Sequence, residues 1–503
     1  MKHLVYSCLL TVAVVVAACT PKVEHALQTG QAAPIYPDYR GVTIPAGIAP
    51  LNFNLATGME LSCVDVVVRG SKGGELHASG SWADFDAGRW HELTHRNVGG
   101  TLTFTVSVLR NDGQWLQYRD FEVYVSPYPL DEWGLTYRRI APGYEVYSKM
   151  GLYQRDLSSF DESPIVENTQ VPGMCVNCHT VRQTDPSRMV FHVRGDHGAT
   201  MVQQNGRREW LKASNEQLGG SMVYPYWHPS GRYCAFSTNQ TRQGFHITDH
   251  PSPHGRRGAG GRIEVFDLSS DVFVYNPATH EILTDPLLQT KDWSENCPTF
   301  SPDGNTLYYM TCRQKSYPSE YRDEQYNLCR ISFDPSSGRF GSHVDTLFNA
   351  VKMGKSLTWP RPSYDGRYLL FTLQDYGYFS IWHDESQQWL LDLQTGEARE
   401  LTELNSPRAD SYHNWSANSR WVVFTSRRDD GLYTRLYLSC IDDAGRFSKP
   451  FLLPQRNPWR YYNSTLYSFN TPDFTRTRVE FDAYAAGHEI LSDKRTKTHI
   501  RGL

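Results

Sequence analysis

A ten-residue pattern that occurs four times between residues 227 and 424 constrains the fold more than any other feature of the sequence. Each copy begins with an apolar or aromatic residue, continues into a tight turn and ends in a run of apolar residues. In the second copy the turn is Ser301–Gly304, where proline fixes φ, aspartate bonds its own backbone and glycine adopts the positive φ that ends the turn. The pattern therefore predicts four β-hairpin corners, which begin at Trp227, Phe300, Pro362 and Trp415.

The spacing of these corners predicts how they are arranged. Successive copies are 53 to 73 residues apart (362 to 415, and 227 to 300), which leaves room for about four strands each. Runs such as Val272–Tyr275 and Trp389–Leu393 supply further strands between the corners. A repeat of this kind is typical of a β-propeller. A degenerate copy near Tyr467, together with strands from before Tyr226, would complete a ring of six or seven blades.

The residues before the repeats are predicted to add a separate β-domain, so that the whole chain is all-β. Between residues 41 and 127, alternating runs such as Val64–Val68 and Leu102–Leu109 are separated by turn signals such as Asn111–Gly113. About seven such strands favour a β-sandwich. Residues 128–219 are less regularly patterned, and we expect an irregular segment there.

The N-terminus has the features of a bacterial lipoprotein signal. Met1–His3 is short and positively charged, and Leu4–Val16 is an apolar stretch too short to cross a bilayer as a helix. Val16–Cys19 matches the motif in which the cysteine thiol is acylated after cleavage. The prediction is a chain lipidated at Cys19 and anchored to the inner or outer membrane in the periplasm. The alternative is an ordinary secretory signal in which Cys19 is incidental.

The sequence Cys175-Val176-Asn177-Cys178-His179 predicts the attachment of one covalent haem c. In this pattern the thiols of Cys175 and Cys178 add to the haem vinyl groups, and the imidazole of His179 binds iron. A thioredoxin-like redox pair would need a βαβ context, and a zinc site would need a second pair of ligands. Neither context is present in the sequence.

The sixth iron ligand is less clearly indicated. His192 lies between apolar residues thirteen positions after His179 and is the first candidate. Met189 and Met201 are the alternatives, Met150 and His197 are also within reach along the chain, and an open sixth position fits as well. A second histidine would usually give a low potential, whereas a methionine would raise it.

Several of these segments resemble a family of bacterial lipoproteins that combine a haem c motif with a TolB-like propeller. The resemblance covers the chain from about residue 40 and rests on Gly151–Leu157, Cys175–His179, Phe191–Gly195 and Tyr226–Gly231. It implies a periplasmic haem protein without a settled reaction, and it supports His192 as a ligand. The expected organisation is a signal peptide (1–18), a lipidated tether (19–40), a β-sandwich (41–127), a haem c segment (128–219), a TolB-like propeller (220–490) and a tail (491–503).

Other candidate sites are weaker. His246, His250 and His254 could bind a metal, but their spacing matches no zinc pattern and a long loop between blades explains them as well. Six cysteines remain after lipidation and haem attachment. Either Cys297–Cys312 or Cys312–Cys329 could form a disulfide, and free buried thiols are an equal alternative.

Taken together, these features predict a membrane-anchored monohaem cytochrome that transfers electrons between a membrane respiratory complex and a periplasmic redox protein. In that interpretation the propeller is a docking surface. The alternatives are an oxidoreductase with a second cofactor on the propeller, and a TolB-like interaction scaffold or sensor with a structural haem. The net charge of −4 gives no electrostatic reason to expect nucleic acid as a partner.

Overall fold

The structure, a computed structural model, describes residues 21–141, 149–171, 173–212, 214–215, 218, 220–247 and 261–501. The predicted signal peptide and Cys19 lie outside these residues. None of the helices in the described ranges is both long enough and apolar enough to cross a membrane.

The N-terminal part is one mixed sheet with a helix packed on it. The sheet has the strand order β1-β8-β7-β5-β6, β9 pairs with both β7 and β3, and β2 pairs separately with β4. Its elements are β1 Leu27–Ala32, β2 Ile35–Tyr36, β3 Thr43–Ile44, β4 Asn54–Leu55, β5 Leu61–Gly70, β6 Glu75–Gly80, α1 Ala87–Arg96, β7 Thr101–Arg110, β8 Trp115–Arg119 and β9 Phe121–Val125.

The helix α1 corrects the prediction of a β-sandwich, because it covers the sheet where a second sheet was expected. Asp86 caps the helix by accepting a hydrogen bond from the backbone N–H of Arg89. Trp90 is fully buried against the sheet, and its indole Nε1 donates to the carbonyl of Ile48 at 3.0 Å. The core beneath the sheet continues into the propeller through Trp421, so the two parts share one hydrophobic cluster.

The rest of the chain forms a β-propeller of six blades, which confirms the predicted fold and fixes the blade number. Blade one contains β10 Gly134–Ile140, β11 Gly151–Asp156 and β12 Glu162–Glu167; blade two contains β13 Cys175–Arg182, β14 Asp185–Arg194, β15 Ala199–Gln204 and β16 Arg207–Lys212; blade three contains β17 Ser214–Asn215, β18 Gly220–Trp227, β19 Cys234–Ile247, β20 Gly261–Asn276 and β21 Glu281–Leu283.

The remaining strands complete the ring, and the C-terminal helices and strands follow them along the chain. Blade four contains β22 Trp293–Phe300, β23 Thr306–Arg313, β24 Asn327–Asp334 and β25 Arg339–Phe348; blade five contains β26 Ser356–Pro362, β27 Tyr368–Gln374, β28 Gln387–Asp392 and β29 Ala398–Glu400; blade six contains β30 Asp410–Trp415, β31 Trp421–Ser426, β32 Arg435–Cys440 and β33 Phe451–Leu452; α2 Pro458–Ser464, β34 Ser468–Thr475, α3 Ala483–Leu491 and β35 His499–Arg501 follow.

The ring is closed by a strand from the C-terminal part of the chain. β34 pairs antiparallel with β10 and is the innermost strand of blade one, whose order is β34-β10-β11-β12. It begins one residue after Tyr467, where the degenerate repeat was predicted. β35 adds in parallel to the outer strand β21 of blade three.

The four predicted corners lie between β18 and β19, β22 and β23, β26 and β27, and β30 and β31. Their turn residues Gly231, Gly304 and Gly366 have φ of 70°, 77° and 76°, and Ser419 takes the same place in blade six at 58°. The prediction of an irregular segment over residues 128–219 was wrong, because its described residues form blades one and two from β10 to β16. The haem motif therefore lies in a β-strand, at the start of β13.

Candidate functional site

The innermost strand of every blade contains one bulge in which a residue other than glycine has a positive φ. At each bulge the pairing register with the next strand shifts. A bulge bends the strand and redirects a side chain, so the six residues form a ring around the propeller axis. The members of this bulge ring are Cys178, Tyr224, Cys297, Trp359, Tyr412 and Thr471, with φ between 46° and 56°.

A cavity of about 560 Å³ is lined by these inner strands and lies on the axis. Its size falls within the range of small-molecule sites, which is roughly 300 to 1,000 Å³. Its wall includes residues of blades one, two, three, five and six, and five of the six bulge-ring residues. The arginines of the wall are Arg138, Arg194, Arg242 and Arg427. Among the described residues of this wall there is no aspartate or glutamate.

The structure brings the predicted haem-attachment residues into this axial cavity. Cys175, Cys178 and His179 all line it, because β13 is the innermost strand of blade two. An Nη of Arg138, from blade one, lies 3.4 Å from the Cys175 sulfur. Within the described part of the chain, no group of three histidine, cysteine or acidic side chains is placed to hold a metal ion.

His179 is a neutral imidazole in the cavity wall. It is 5% exposed, and neither ring nitrogen makes a hydrogen bond of good geometry within the described residues. Burial lowers the pKa of His179 to about 4; the backbone of Thr136 opposes this shift and the Arg138 guanidinium adds to it. Because the ring is uncharged at neutral pH, it can coordinate a metal or accept a proton.

Arg427 is buried and Arg138 is half-buried, and neither forms an ion pair with an acidic side chain among the described residues. The Arg427 guanidinium stacks on the Trp382 ring at 4.3 Å, and its Nε is buried without a hydrogen bond. Burial lowers the pKa of Arg427 to about 10. The Nε of Arg138 is also buried and without a hydrogen bond among the described residues, and an Nη of Arg138 lies 3.5 Å from the Met150 sulfur and 3.4 Å from the Cys175 sulfur. The cavity thus has donors that its own wall does not satisfy.

Aromatic rings form a further part of the cavity wall. Trp359 and Tyr412 are in edge-to-face contact with ring centroids 4.9 Å apart, and Tyr224 meets Tyr378 in the same way at 6.1 Å. The indole Nε1 of Trp359 donates to the carbonyl of His413, which fixes the ring in place. Such a surface suits a flat ligand.

The predicted sixth ligands lie inside blade two and not in the cavity wall. His192 is 1% exposed on β14, and its Nδ1 is 2.9 Å from the hydroxyl of Thr200. Burial, together with the Arg194 charge, lowers the pKa of His192 to about 3. Met189 and Met201 are fully buried in a hydrophobic cluster. Met150 is the sulfur ligand candidate that lines the cavity.

The other candidate sites gain no support. Every cysteine in the described residues is a free thiol, so neither predicted disulfide is formed there. His250 and His254 lie outside the described residues, and the side chain of His246 is not described.

Sequence reasoning missed the arginines and the bulge ring, although the repeat contains a signal for the ring. The bulge residues of blades three to six each lie three positions before the first residue of a repeat: 224 before 227, 297 before 300, 359 before 362 and 412 before 415. Aligning the repeats on their turns would have placed these four residues at equivalent positions. The arginines come from different positions in different blades, so no repeat identifies them.

No protein-family model matches the chain, and no curated protein matches it. Solved structures do. An oligogalacturonate lyase in complex with manganese is 11% identical, with a TM-score of 0.32, over 63% of this chain and 73% of the lyase. The periplasmic gluconolactonase of Pseudomonas aeruginosa is 15% identical, with a TM-score of 0.32, over 68% of this chain and 99% of the lactonase. Prolyl oligopeptidase B of Galerina marginata is 11% identical, with a TM-score of 0.34, over 69% of this chain and 42% of the peptidase.

These comparisons contradict the prediction of an electron-transfer cytochrome. The proteins named above are propeller enzymes and not cytochromes. The expected lipoprotein family is not shown either, and only the propeller part of that resemblance is confirmed. At this level of similarity the shared feature is the fold, so no activity is transferred from these enzymes to this chain.

Proposed function

We propose that the protein is a ligand-binding propeller whose axial cavity holds a planar compound with carboxylate groups. The observation that carries the proposal is the charge of the wall, which has four arginines and no acidic residue among its described members. A buried cation without a partner is costly. An anionic ligand would supply the partner, since guanidinium groups bind carboxylates through paired hydrogen bonds.

The shape of the ligand follows from the other half of the wall. The cavity wall also contains the rings of Trp359, Tyr412, Tyr224 and Tyr378, beside the unpaired donors of Arg138 and Arg427. A compound with a flat apolar part and an anionic group would satisfy both kinds of residue. Two sources of such a compound fit the cavity.

The first source is haem c, which carries two propionates on a flat ring. Cys175 and Cys178 would hold it through thioether bonds, and the unpaired nitrogens of neutral His179 fit iron ligation. Bound there, haem would supply a redox-active iron inside the propeller. The fit supports haem c as the proposed cofactor; it does not restore the role of electron carrier.

The second source is a free aromatic or unsaturated carboxylate. In that case the arginines would orient the carboxylate, and His179 would be available as a neutral base in a partly closed site. The same wall serves both sources, and the difference lies in whether the two thiols are modified.

The first experiment distinguishes these sources. The full chain is exported in a bacterium that has the haem-attachment machinery, and the purified protein is examined by intact mass and by the pyridine haemochrome spectrum. If Cys175→Ala and Cys178→Ala each lower the amount of covalent haem, and the double variant has none, the ligand is haem c. A protein that lacks the mass and the spectrum of covalent haem excludes haem c, and the free carboxylate is then the remaining candidate ligand.

The second experiment tests the anionic site itself. Full-length protein made in the cytoplasm, where haem is not attached, is titrated with anilinonaphthalene sulfonate, a fluorescent aromatic anion. Arg427→Met and Arg138→Met should each weaken binding about tenfold, because each removes a charge-assisted contact. Arg69→Met is the matched control, since Arg69 pairs with Glu75 on the N-terminal sheet. Equal affinity in the cavity variants and the control would overturn the proposal.

Lipidation at Cys19, the periplasmic location and any membrane or redox partner stay predictions from the sequence. Incorporation of a radiolabelled fatty acid tests the lipid anchor, and Cys19→Ala should abolish it.

A further inference from the structure

The second hairpin of blade three reaches beyond its blade and covers part of the cavity. Its strands β19 and β20 have 14 and 16 residues, whereas the corresponding strands β23 and β24 of blade four have eight each. The extra length brings Thr241, Arg242 and Gln243 of β19 and Val265 of β20 into the cavity wall. Asp267 follows Val265 by two positions on β20.

Asp267 is a fully buried carboxylate at the junction of blades three, four and five. One oxygen accepts a hydrogen bond from the Tyr378 hydroxyl at 3.1 Å. The other accepts from the side-chain amides of Asn296, at 2.7 Å, and Asn239. The Ser237 hydroxyl lies 2.8 Å from the amide oxygen of Asn239 and 2.9 Å from that of Asn296, and its single proton is donated to one of them at a time.

This network connects Asp267 to the cavity through Tyr378. The Tyr378 ring lines the cavity, while its hydroxyl is held behind the wall by Asp267. The same ring makes edge-to-face contacts with Tyr224 and Phe379, which also line the cavity. The buried carboxylate of Asp267 is therefore bonded to one wall ring, which in turn contacts two others.

We propose that Asp267 is a positioning and charge-setting residue of the axial site, which fixes Tyr378 at the wall and limits how tightly the cavity holds an anion. The inference rests on the proposed function, since it concerns the affinity of that same cavity. When ionised, Asp267 adds a negative charge next to a residue of the wall, and this charge opposes that of Arg194.

The charged and titratable groups around Asp267 come from every neighbouring element. Arg194 of β14, which lines the cavity, is the cation that acts on it. Three further titratable groups that interact with Asp267 come from blades three, four and five: Tyr224 of β18, Cys297 of β22 and Tyr378. Glu324, Tyr326 and Tyr317 approach from blade four.

Burial dominates the titration of this group. It raises the pKa of Asp267 to about 7, against the hydrogen bonds from Tyr378 and the asparagines and the charge of Arg194, which lower it. Burial, followed by the charge of Asp267, also raises the pKa of Glu324 to about 8. Below pH 7 Asp267 is neutral and the wall is more positive. Anion binding should therefore weaken as the pH rises through neutrality, and a bound anion should favour the protonated carboxyl.

The test uses the haem-free full chain and anilinonaphthalene sulfonate, whose sulfonate remains ionised throughout. For the natural chain we expect the dissociation constant to rise about fivefold from about pH 6 to about pH 8. Asp267→Asn should remove most of that rise and bind as tightly at about pH 8 as the natural chain does at about pH 6. Tyr378→Phe keeps the charge and should retain the pH dependence while weakening binding at both pH values.

Asp271→Asn is the matched control, because it makes the same change four residues further along β20 at a residue outside the cavity wall. A pH dependence in Asp267→Asn equal to that in the control would overturn the inference. If Asp267→Asn is instead weaker at both pH values, the residue is only structural and the inference fails. Failure of the natural chain to bind the probe at any pH would refute the proposed function itself.

Discussion

Cys178 and Cys297 occupy the same position in blades two and four. Each is the left-handed residue of its bulge, with φ of 50° and 47°, and each lies on the innermost strand of its blade. Cys178 lines the axial cavity and is half-buried, whereas Cys297 is 2% exposed. Burial is the largest cause that raises the pKa of both thiols, so both are protonated at neutral pH. The second cysteine of the haem motif is thus also a member of the propeller repeat.

We predict that alkylation separates these cysteines by access. In the haem-free protein, Cys175 and Cys178 open into the cavity, so a small maleimide should modify them before Cys297. Anilinonaphthalene sulfonate should slow the reaction at the two cavity thiols, because it occupies the same space. Peptide mapping by mass spectrometry after timed quenching measures all three sites. Modification of Cys297 first would show that the inner strands open in solution.

The repeated turn predicts a pair of stability changes. Gly366 and Gly304 have nearly the same positive φ, so alanine at either position costs about 1 to 2 kcal/mol for the left-handed backbone. A methyl group at Gly366 would meet no neighbouring atom within contact distance, whereas at Gly304 it would strike the His228 ring. That ring also bonds the Gly304 carbonyl at 3.0 Å.

Gly304→Ala should therefore destabilise the propeller more than Gly366→Ala. Urea unfolding followed by tryptophan fluorescence gives both free energies of unfolding. Equal losses for the two variants would mean that His228 moves aside without cost.

We predict that three buried acids lower the free energy of unfolding as the pH rises from about 4 to about 8. Burial raises the pKa of Asp267 to about 7 and the pKa values of Glu295 and Glu324 to about 8. Because these acids ionise at lower pH when unfolded, the folded state holds more protons between about pH 4 and pH 8, and raising the pH favours unfolding. Glu295→Gln should reduce the decline, and urea midpoints at about pH 7 and pH 8.5 measure it.

A second prediction concerns the acid side. Burial lowers the pKa of His179 to about 4 and those of His192 and His413 to about 3. Below about pH 6.5 these histidines are protonated in the unfolded chain but not in the folded one, so stability is lost as the pH falls toward the folded values. Between about pH 4 and pH 6.5 these histidines therefore oppose the effect of the three buried acids, and the net decline in stability should steepen above about pH 6.5. His413→Gln should raise the stability at about pH 4.5 relative to that at about pH 6.5, and an unchanged difference between the two pH values would contradict this.

Blades three to six could be predicted from the sequence, because each contains the repeated tight turn followed by an apolar strand. The same reasoning failed for blade two because that corner has no glycine: Gln183 and Thr184 adopt φ of 43° and 67° without one. The N-terminal domain was assigned as a sandwich because alternation marks its strands, while α1 contributes only a short amphipathic segment.

For the site, Cys175, Cys178 and His179 of the predicted haem motif all line the axial cavity, and haem attachment at these residues stays a prediction. The positive charge of the cavity wall could not be predicted from the sequence. Arg138, Arg194 and Arg427 are distant along the chain and meet only when blades one, two and six close around the axis. The burial that leaves His179 neutral likewise depends on residues of blade one.

The placement of β34 also determines when the cavity can form during synthesis. The chain leaves the ribosome from its N-terminus, so blade one begins with β10 exposed at its inner edge and with no partner there. The axis is enclosed only after residues 468–475 have been added and have paired with β10. Until β34 has paired, Cys175, Cys178 and His179 are therefore accessible from the side of an open ring, and a group can be attached to them before the ring closes.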